Sequence, residues 1–464
     1  MRDGAALSIQ LPDAVARVLA TLRRDGGEAV LVGGCIRDLV RGEAPVDWDI
    51  ATSRPPEAVA ERLPGSTWEN AFGTVTVIHP GGEAGIQVTT YRVEAGYRDR
   101  RRPDAVRWGT SLAEDLARRD FTINAMAWLP DDASLDHPSG TATGSVSGRL
   151  VDPFGGAADL EAGLLRAVGD PAARFDEDAL RLVRAVRFAS RFDLRLDPET
   201  ETAIRNHTTD AAGLSGERVR EELIRILAGA APPSGAFQLM EELGLLAVLL
   251  PELADLRGVP QAKPLAGDAL AHSLRAADAL PATDPVLRLA GLLHDLGKVS
   301  TMSERHFLEH EQVGERLAGQ VMRRLRAPRA EMSRVGRLVL HHMFAYSSDW
   351  SDAAVRRFVL RVGSDLLPDL FALRAADDVA SGVVDPARGG WQELRRRAEA
   401  AVADDPMEAR HLALNGDDLV AELGLQPGPE IGGLLAALLD AVLEDPTLNS
   451  RDQLLMIARS MARG

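Results

Sequence analysis

The sequence predicts an α+β protein, with a small mixed-sheet domain at its N-terminal end and helices throughout the rest of the chain. Three short segments rich in Val, Ile and Thr, at residues 28–34, 74–80 and 85–93, predict strands. Beyond about residue 170, apolar residues recur at intervals of three and four, which predicts amphipathic helices. This pattern has no fixed repeat, which argues against a solenoid. Residues 131–148 are rich in Gly, Ser and Thr, which predicts a loop or a hairpin excursion.

Length and composition limit the class of protein. At 464 residues with 45% hydrophobic content, the chain is long enough for several domains with large cores. It has no run of about 18 uninterrupted apolar residues and no secretory signal pattern, so we expect a cytoplasmic protein without a membrane partner. The single cysteine, Cys35, excludes an intramolecular disulfide and a cysteine-rich zinc site. Any bound metal must therefore use His, Asp and Glu ligands.

The charge distribution bears on a nucleic-acid partner. The net charge of −16 is unfavourable for one, because proteins that bind polyanions usually carry a basic surface. Arginines are nevertheless clustered at 98–102, at 118–119 and over 174–195, where they recur at helical spacing. The sequence therefore predicts a basic surface on an acidic protein, and solvated helix faces are the alternative interpretation.

The first chemical motif follows the first predicted strand. Asp47 and Asp49 are two positions apart, so on a strand their carboxylates would project to the same face. Such a pair is costly without a cation, and hard oxygen ligands favour Mg²⁺, which binds triphosphate oxygens and lowers the pKa of an attacking hydroxyl. Gly33 and Gly34 would let the backbone approach a phosphate where a helix begins, and Arg37 would add a positive charge. The combination predicts two-metal nucleotidyl transfer with Asp47 and Asp49 as catalytic metal ligands.

A second motif places Asp178 three positions before Arg181, so a continuous helix would bring both side chains to one face. A carboxylate accepts hydrogen bonds, whereas a guanidinium donates them. Cytosine and adenine both present an amino donor beside a ring-nitrogen acceptor, whereas uracil and guanine present a carbonyl beside an N–H. The pair therefore fits C and A, and a mispaired base would cost on the order of several kcal/mol at a buried polar site. An ordinary surface ion pair is the alternative interpretation.

These motifs, in this order, resemble the class II tRNA nucleotidyltransferase and poly(A) polymerase family. The segments RRDFTINAM, DPFGGAADL and FDEDALRLVR are similar to its later motifs, so the resemblance covers nearly the whole chain. It implies a polymerase-β-like nucleotidyltransferase head (1–150), an all-α neck (151–230), a helical body (231–395) with an HD domain at about 265–385, and a helical tail (396–464) that binds tRNA. The nucleotide-binding residues expected from the motifs are Gly33, Gly34, Arg37, Arg118, Asp120, Asn124, Asp178, Arg181, Arg184 and Arg187.

Within the family, one segment bears on which nucleotides are added. It resembles the flexible loop of members that add the final A, and its matching residues are Arg92, Glu94, Tyr97, Asp99, Arg101, Arg102 and Pro103. The loop favours addition of C and A to the 3′ end of tRNA from CTP and ATP, with an A-adding enzyme or a poly(A) polymerase as alternatives. Gln87 departs from the family pattern, because many relatives carry an acid there that supports the metal or accepts a proton. We expect Asp47 and Asp49 to suffice.

A second constellation lies in the helical half of the chain. Its members are His272, His294, Asp295, His310, His342 and Asp377. Imidazole and carboxylate ligands together suit divalent metals. The series resembles the HD phosphohydrolase superfamily, which implies His310 and His342 as ligands of a second ion and the other four residues as the primary set. His341 is an alternative to its neighbour His342.

The HD resemblance implies a divalent ion, such as Mg²⁺, Mn²⁺ or Ni²⁺, and phosphohydrolase activity toward cyclic phosphates or 2′-phosphates at RNA ends. An alternative from another functional class is an HD phosphohydrolase, in which the HD domain has the main activity and the head is a degenerate nucleotide sensor. The intact acids and the Asp178–Arg181 pair of the head argue against it. A non-catalytic RNA-binding protein is a further alternative, which predicts that Asp47→Ala changes no function.

Overall fold

The computed structural model describes residues 2–68, 74–77, 86–95, 105–109, 111–135, 143–261, 263–303, 306–307, 309–383, 390–404 and 409–462. The chain divides into two compact units, Met1–Ile226 with Gly235–Leu249 and Leu227–Ser234 with Leu250–Gly464. The first unit contains a mixed sheet, and the second is almost entirely helical in its described part, which confirms the predicted α+β class. The finer division into head, neck, body and tail stays a prediction.

The first unit is built on a mixed β-sheet. Its strands are β1 (Ala6–Pro12), β2 (Ala29–Val32), β3 (Asp49–Thr52), β4 (Ser66–Trp68), β5 (Thr74–Val77), β6 (Ile86–Thr90), β7 (Arg92–Ala95), β8 (Ala105–Trp108), β9 (Ala127–Pro130), β10 (Thr143–Val151), β11 (Leu164–Leu165) and β12 (Arg195–Leu196). Eight of them form one sheet in the order β1-β10-β9-β2-β3-β6-β5-β4. Within it β3 and β6 run parallel, and the other described neighbours are antiparallel. The three predicted strand segments are confirmed as β2, β5 and β6.

Of the loop or hairpin predicted over residues 131–148, the hairpin agrees with the structure, since β10 begins inside this segment, runs antiparallel to the preceding strand β9 and pairs with the whole of β1. Val146 and Leu150 of this strand are buried, at 4% and 0% exposure. Ser147 and Gly148 between them hid the alternation of buried and exposed positions. Backbone pairing with β1 supplies hydrogen bonds that local composition does not reveal, so tertiary context overrides the turn-like sequence.

The helices that follow and flank the sheet complete the first unit. They are α1 (Asp13–Arg23), α2 (Gly34–Val40), α3 (Pro56–Arg62), α4 (Leu112–Ala117), α5 (Asp132–Leu135), α6 (Gly156–Glu161), α7 (Pro171–Glu177), α8 (Leu180–Phe192), α9 (Pro198–His207), α10 (Gly216–Leu227), α11 (Pro233–Glu242) and α12 (Leu245–Leu249). The main core packs the sheet against α1, α2 and α3 through apolar side chains such as Leu19, Ile36 and Val59. Trp128 is fully buried there, and its indole N–H donates to the Leu7 carbonyl at 2.9 Å. All four residues of β2 are buried in this packing, which fixes the position of the strand's end, directly before Gly33.

The second unit is a helical assembly. Its elements are α13 (Pro251–Ala254), α14 (Ala269–Asp278), α15 (Pro285–Leu293), α16 (Lys298–Thr301), β13 (Met302–Ser303), β14 (His306–Phe307), α17 (His310–Arg324), α18 (Arg329–His341), α19 (Asp352–Val362), α20 (Leu367–Ser381), α21 (Trp391–Asp404), α22 (Gly416–Leu423), α23 (Pro429–Glu444) and α24 (Arg451–Met461). Local caps set where α14 and α15 begin: Asp268 accepts from the Ala271 N–H at 2.9 Å, and Asp284 from the Leu287 N–H at 3.0 Å. None of the described helices is long and apolar enough to cross a membrane.

Candidate active site and metal centre

A cleft of about 510 Å³ opens in the first unit where β2, β3 and β6 meet α2 and α8. Seven arginines and three aspartates line it, so its walls are positive although the whole chain carries a charge of −16. Nine of the ten predicted nucleotide-binding residues lie in these walls. They are Gly33, Gly34, Arg37, Arg118, Asp120, Asn124, Asp178, Arg181 and Arg184. The tenth, Arg187, is 7% exposed and is absent from the described lining.

The two predicted catalytic acids lie at the start of β3. Asp49 is its first residue and is partly buried in the cleft, whereas Asp47 is exposed and precedes the strand. The expectation that both lie on a strand is therefore wrong for Asp47. Burial raises the pKa of Asp49, Arg119 lowers it, and the nearby charge of Asp47 raises it further. A cation would relieve the repulsion between these carboxylates, so the donor set fits a hard divalent ion such as Mg²⁺.

Gln87 lies beside Asp49. Strand β6 runs parallel to β3, and its register pairs Gln87 directly with Asp49. The amide oxygen can bind a cation, but a neutral amide does not accept a proton as a carboxylate does. At this position the chain therefore offers a possible metal ligand without a general base.

The turn between β2 and α2 depends on glycine. Gly33 has a φ of +74°, and a Cβ there would lie 2.6 Å from Nη1 of Arg119. The following helix begins at Gly34, as the sequence predicted, and Arg37 lies on it. Arg37 donates to Asp38 at 2.7 and 2.9 Å and to Oδ1 of Asn124 at 2.7 Å. Arg37 therefore supports the turn as well as forming a wall of the cleft.

Asp120 is a buried junction of the cleft's hydrogen bonds. Arg184 donates to it at 2.8 and 2.5 Å, and the side-chain amide of Asn124 donates at 3.1 Å. Burial would raise the pKa of Asp120, but Arg184 and Asn124 outweigh it and lower the pKa to about 2. Asp120 is therefore ionised at neutral pH and fixes both partners in place.

Two buried carboxylates that the motifs did not single out hold other arginines of this region. Asp115 accepts from Arg118 at 2.5 Å and from Arg119 at 3.3 Å. Glu222 on α10 accepts from Arg187 at 2.5 Å, which accounts for the burial of that arginine. The spacing of Asp115 three and four positions before its partners was a visible signal in the sequence. Glu222 stands three positions before Arg225, which also donates to it, but nothing in the spacing pointed to Arg187, which is on a different helix.

The predicted base-selecting pair lies at a break between two helices. Asp178 is extended, with φ −151° and ψ 102°, so the predicted shared helical face is wrong. Its Oδ1 accepts from the Leu180 N–H at 3.0 Å and its Oδ2 from Arg218 at 2.6 Å. Arg181 donates instead to Glu177 at 2.6 Å and to two main-chain carbonyls at 2.9 Å. Both side chains line the same cleft, and each is held by other partners.

In the second unit the six predicted HD ligands come together from five helices. Helix α14 carries His272, α15 ends before His294 and Asp295, α17 begins at His310, α18 ends before His342, and α20 carries Asp377. Nε2 of His272, His294, His310 and His342 lies 3.5, 3.3, 3.5 and 3.7 Å from a carboxylate oxygen of Asp295. His342, rather than its neighbour His341, belongs to the cluster, since its Nε2 is 3.2 Å from Nε2 of His310.

The imidazoles of this cluster have the form that binds metal. Nδ1 of His294 lies 2.7 Å from the Gly291 carbonyl, and Nδ1 of His342 lies 2.6 Å from the Val339 carbonyl. A carbonyl only accepts, so each Nδ1 donates a proton to it, which leaves Nε2 as the ring nitrogen that can bind a metal. Nε2 of His294 is buried without a hydrogen-bond partner. Burial also lowers the pKa of His272 and His342, which keeps both neutral, so the donor set fits a divalent ion.

The loop expected to favour addition of the final A falls mostly outside the described residues. Tyr97, Asp99, Arg101, Arg102 and Pro103 are not described. Arg92 begins β7 and lines the cleft, and Glu94 is on the same strand.

Three family models match the chain in order. A poly(A) polymerase head domain matches residues 29–166, a probable RNA- and SrmB-binding site of polymerase A matches 193–256, and an HD domain matches 269–382. The matches cover strands β2, β3 and β6 of the cleft and all six predicted HD ligands.

Individual proteins match over nearly the whole chain. The CCA-adding enzyme of Lactiplantibacillus plantarum is 33% identical over 98% of both chains. The A-adding tRNA nucleotidyltransferase of Deinococcus radiodurans is 36% identical over 89% of this chain and 91% of its own. The crystal structure of the Bacillus stearothermophilus CCA-adding enzyme in complex with CTP has a TM-score of 0.68, at 27% identity over 97% of both chains. Since the fold, the order of domains and the full-length identity agree, the chain belongs to the family of CCA-adding and A-adding tRNA nucleotidyltransferases that carry an HD domain.

Proposed function

We propose that this enzyme adds C and A to the 3′ end of tRNA, from CTP and ATP, in the cleft of the first unit. The observation that carries the proposal is that Asp49, Asp178 and Arg181 line one cleft. Template-independent addition needs a binding site for the triphosphate and side chains that select the base. The two must lie close enough for one nucleotide to reach both. The positive walls also suit a triphosphate and an RNA end.

For the transfer, Asp47 and Asp49 would hold the divalent ion, with the Gln87 amide as a neutral neighbour. When bound, the ion supplies charge neutralisation at the triphosphate and a lowered pKa for the attacking 3′-hydroxyl. Arg118 and Arg119, fixed by Asp115, offer donors along the same wall. The glycine turn at Gly33 keeps that wall free of a side chain.

For the choice of base, both groups of the pair are fixed in advance. The Leu180 N–H and Arg218 orient the Asp178 carboxylate, whose remaining lone pairs accept from the amino group of C or A. Arg181, anchored on Glu177, donates to the neighbouring ring nitrogen. Uracil and guanine would meet acceptor with acceptor and donor with donor, so their rejection is large.

The decisive assay supplies purified full-length protein with Mg²⁺, labelled CTP or ATP, and tRNA ending before CCA, after C or after CC. We expect each substrate to be completed to CCA. Incorporation only of A, and only on the CC-ended tRNA, would make this an A-adding enzyme, as the similarity to the Deinococcus radiodurans protein allows. Long A tails would make it a poly(A) polymerase. Asp49→Ala should abolish incorporation and leave tRNA binding intact, whereas the exposed Glu57→Ala should change neither.

Base selection has its own test. Replacing Asp178 and Arg181 by Ala should reduce the preference for C and A over U and G on the order of 100-fold, because the edges of U and G would no longer face an acceptor and a donor that oppose them. The ratio of kcat/KM for the four nucleoside triphosphates measures it. Asp176→Ala, at an exposed neighbouring position, is the control. An unchanged preference in the double variant would exclude the pair as the selector.

We propose that the second unit binds a divalent ion, such as Mg²⁺, Mn²⁺ or Ni²⁺, and that it hydrolyses cyclic phosphates or 2′-phosphates at RNA ends. The supporting observation is the buried Nε2 of His294, which lacks a hydrogen-bond partner inside a cluster of imidazoles and carboxylates. A 2′,3′-cyclic nucleotide should be hydrolysed by the intact chain with metal and not by His294→Ala. Equal rates in the two proteins would exclude the cluster as the hydrolytic site.

A further inference from the structure

The lysines of this chain are confined to one place. Only two of its 53 Lys and Arg residues are lysines, Lys263 and Lys298. Both ammonium groups contact atoms of the predicted HD ligands. All the other Lys and Arg residues are arginines, whose guanidinium group is planar and bulkier than an ammonium group. The chain therefore uses the compact ammonium group only at these two positions beside the cluster.

Lys263 contacts two ligand atoms at once. Its Nζ lies 2.8 Å from Nε2 of His272 and 2.9 Å from Oδ1 of Asp377. Those two atoms are themselves 3.0 Å apart. The ammonium group therefore donates to the same lone pairs that would coordinate a metal on this side of the cluster, and its charge opposes a divalent cation there.

The opposite side of the cluster keeps donor atoms that Lys263 is not seen to contact. Oδ1 of Asp295 lies 3.5 Å from Nε2 of His310 and 3.7 Å from Nε2 of His342. His294 is close enough to Asp295 and His342 to share an ion with them. Lys298 differs from Lys263, since it contacts the other oxygen of Asp295, at 2.6 Å, and the amide oxygen of Gln261.

We propose that Lys263 is a built-in cation of the HD cluster. Its ammonium group takes the position of one of two divalent ions, so the cluster binds a single ion, through His294, Asp295, His310 and His342. This replaces the two-ion arrangement implied by the HD resemblance, in which His272 and Asp377 belong to the primary ligand set. The inference rests on the metal site proposed above, and its experiment separates the two.

The test counts metal ions in the full-length protein. Asp47→Asn and Asp49→Asn are introduced in every chain so that the first unit contributes no ion. Each chain is stripped with a chelator and titrated with Mn²⁺. Elemental analysis then gives the number of bound ions, and electron paramagnetic resonance shows whether two bound Mn²⁺ ions are magnetically coupled. We expect one isolated ion with Lys263 present, and two coupled ions in Lys263→Met and in Lys263→Gln. Lys298→Met, the matched control, should stay at one, because the hydrogen bonds described for Lys298 go to Asp295 and to Gln261, which is not a predicted ligand.

The outcomes are distinct. If the chain that keeps Lys263 binds two ions, Lys263 does not take the place of one of them. This result needs no variant of Lys263. One ion bound with unchanged affinity in both Lys263 variants would overturn the role of the lysine as well. Absence of bound Mn²⁺ from all chains would overturn the metal site itself, and with it the role assigned to Lys263.

Discussion

At the scale of single residues, buried carboxylates decide where the arginines of the cleft lie. Asp115, Asp120 and Glu222 are each at most 8% exposed, and each binds at least one guanidinium. A buried carboxylate paired in this way is strongly coupled to its partner, because removing one side leaves an uncompensated charge. The positive walls of the cleft are therefore positioned by acids behind them.

This coupling predicts a pH-dependent effect of Asp120→Asn. The folded-state pKa of Asp120, about 2, lies below its ordinary value of 3.8, so its contribution is present above pH 3.8 and is lost as the pH falls through 2. We expect the variant to lower the free energy of unfolding by about 2 kcal/mol at neutral pH. Urea unfolding of both proteins at several pH values should give a difference that shrinks below pH 3.8.

The exposed Asp131→Asn is the control for this measurement and should leave the free energy of unfolding nearly unchanged. A difference between wild type and Asp120→Asn that stays constant down to pH 2 would contradict the assigned ionisation.

At the scale of elements, the junctions between strands and helices position the chemistry. The β2–α2 turn illustrates this, since only one of its two glycines has a backbone conformation that requires glycine. Gly33 requires a positive φ, whereas a Cβ on Gly34 would meet Arg37 at an ordinary 3.5 Å. The helix break at Asp178 is a second such junction, because the extended residue turns its carboxylate into the cleft.

The turn predicts different outcomes for two similar substitutions. Gly33→Ala should cost about 1–3 kcal/mol in the free energy of unfolding, through backbone strain, and should displace Arg119 from the Asn124 carbonyl. Gly34→Ala, the matched control for stability, should leave the free energy of unfolding nearly unchanged. Urea unfolding measures stability, and kcat for C addition measures the displacement. Equal effects of the two substitutions would contradict the role of the turn.

The junction between α15 and α16 packs against the first turn of α17 and predicts an effect on metal binding. A Cβ on Gly297 would lie 1.9 Å from the His310 carbonyl and 2.8 Å from the Gly314 nitrogen, both of them backbone atoms. Gly297→Ala must therefore push α17 away, at a cost of about 1–3 kcal/mol, and carry His310 out of the cluster. Calorimetric titration with Mn²⁺ should show weaker binding. Gly319→Ala on the same helix meets only the end of Arg323, at 3.5 Å, and should bind as wild type does; weaker binding there would contradict the argument.

At the scale of the whole molecule, charge is unevenly distributed. The chain carries −16, yet seven arginines and three aspartates line the cleft. An acidic protein with a local positive surface binds RNA through few contacts, and long-range repulsion from the rest of the surface opposes it.

Affinity for tRNA should therefore fall as salt is added, with a negative slope of the logarithm of the association constant against the logarithm of salt concentration. Fluorescence titration in increasing KCl measures the slope. Sucrose at matched osmolality is the control and should leave the affinity unchanged. An affinity independent of KCl would exclude the arginine-lined surface as the RNA contact.

Much of the fold and of both sites follows from the sequence. Periodicity and composition determined the α+β class, with β2, β5 and β6 as strands, because these signals are local. The motifs predicted most of the cleft's wall and the six members of the HD cluster, since each motif fixes the spacing of a few neighbouring residues.

Only the tertiary structure decided which distant groups meet. It placed Glu222 beside Arg187 and Arg218 on Asp178, broke the helix at Asp178, and brought Lys263 against two HD ligands. It also revealed β10, whose pairing with β1 outweighs its turn-like composition. The physical reason is the same in each case: these contacts depend on how whole elements pack and pair, and spacing along the chain does not encode that packing.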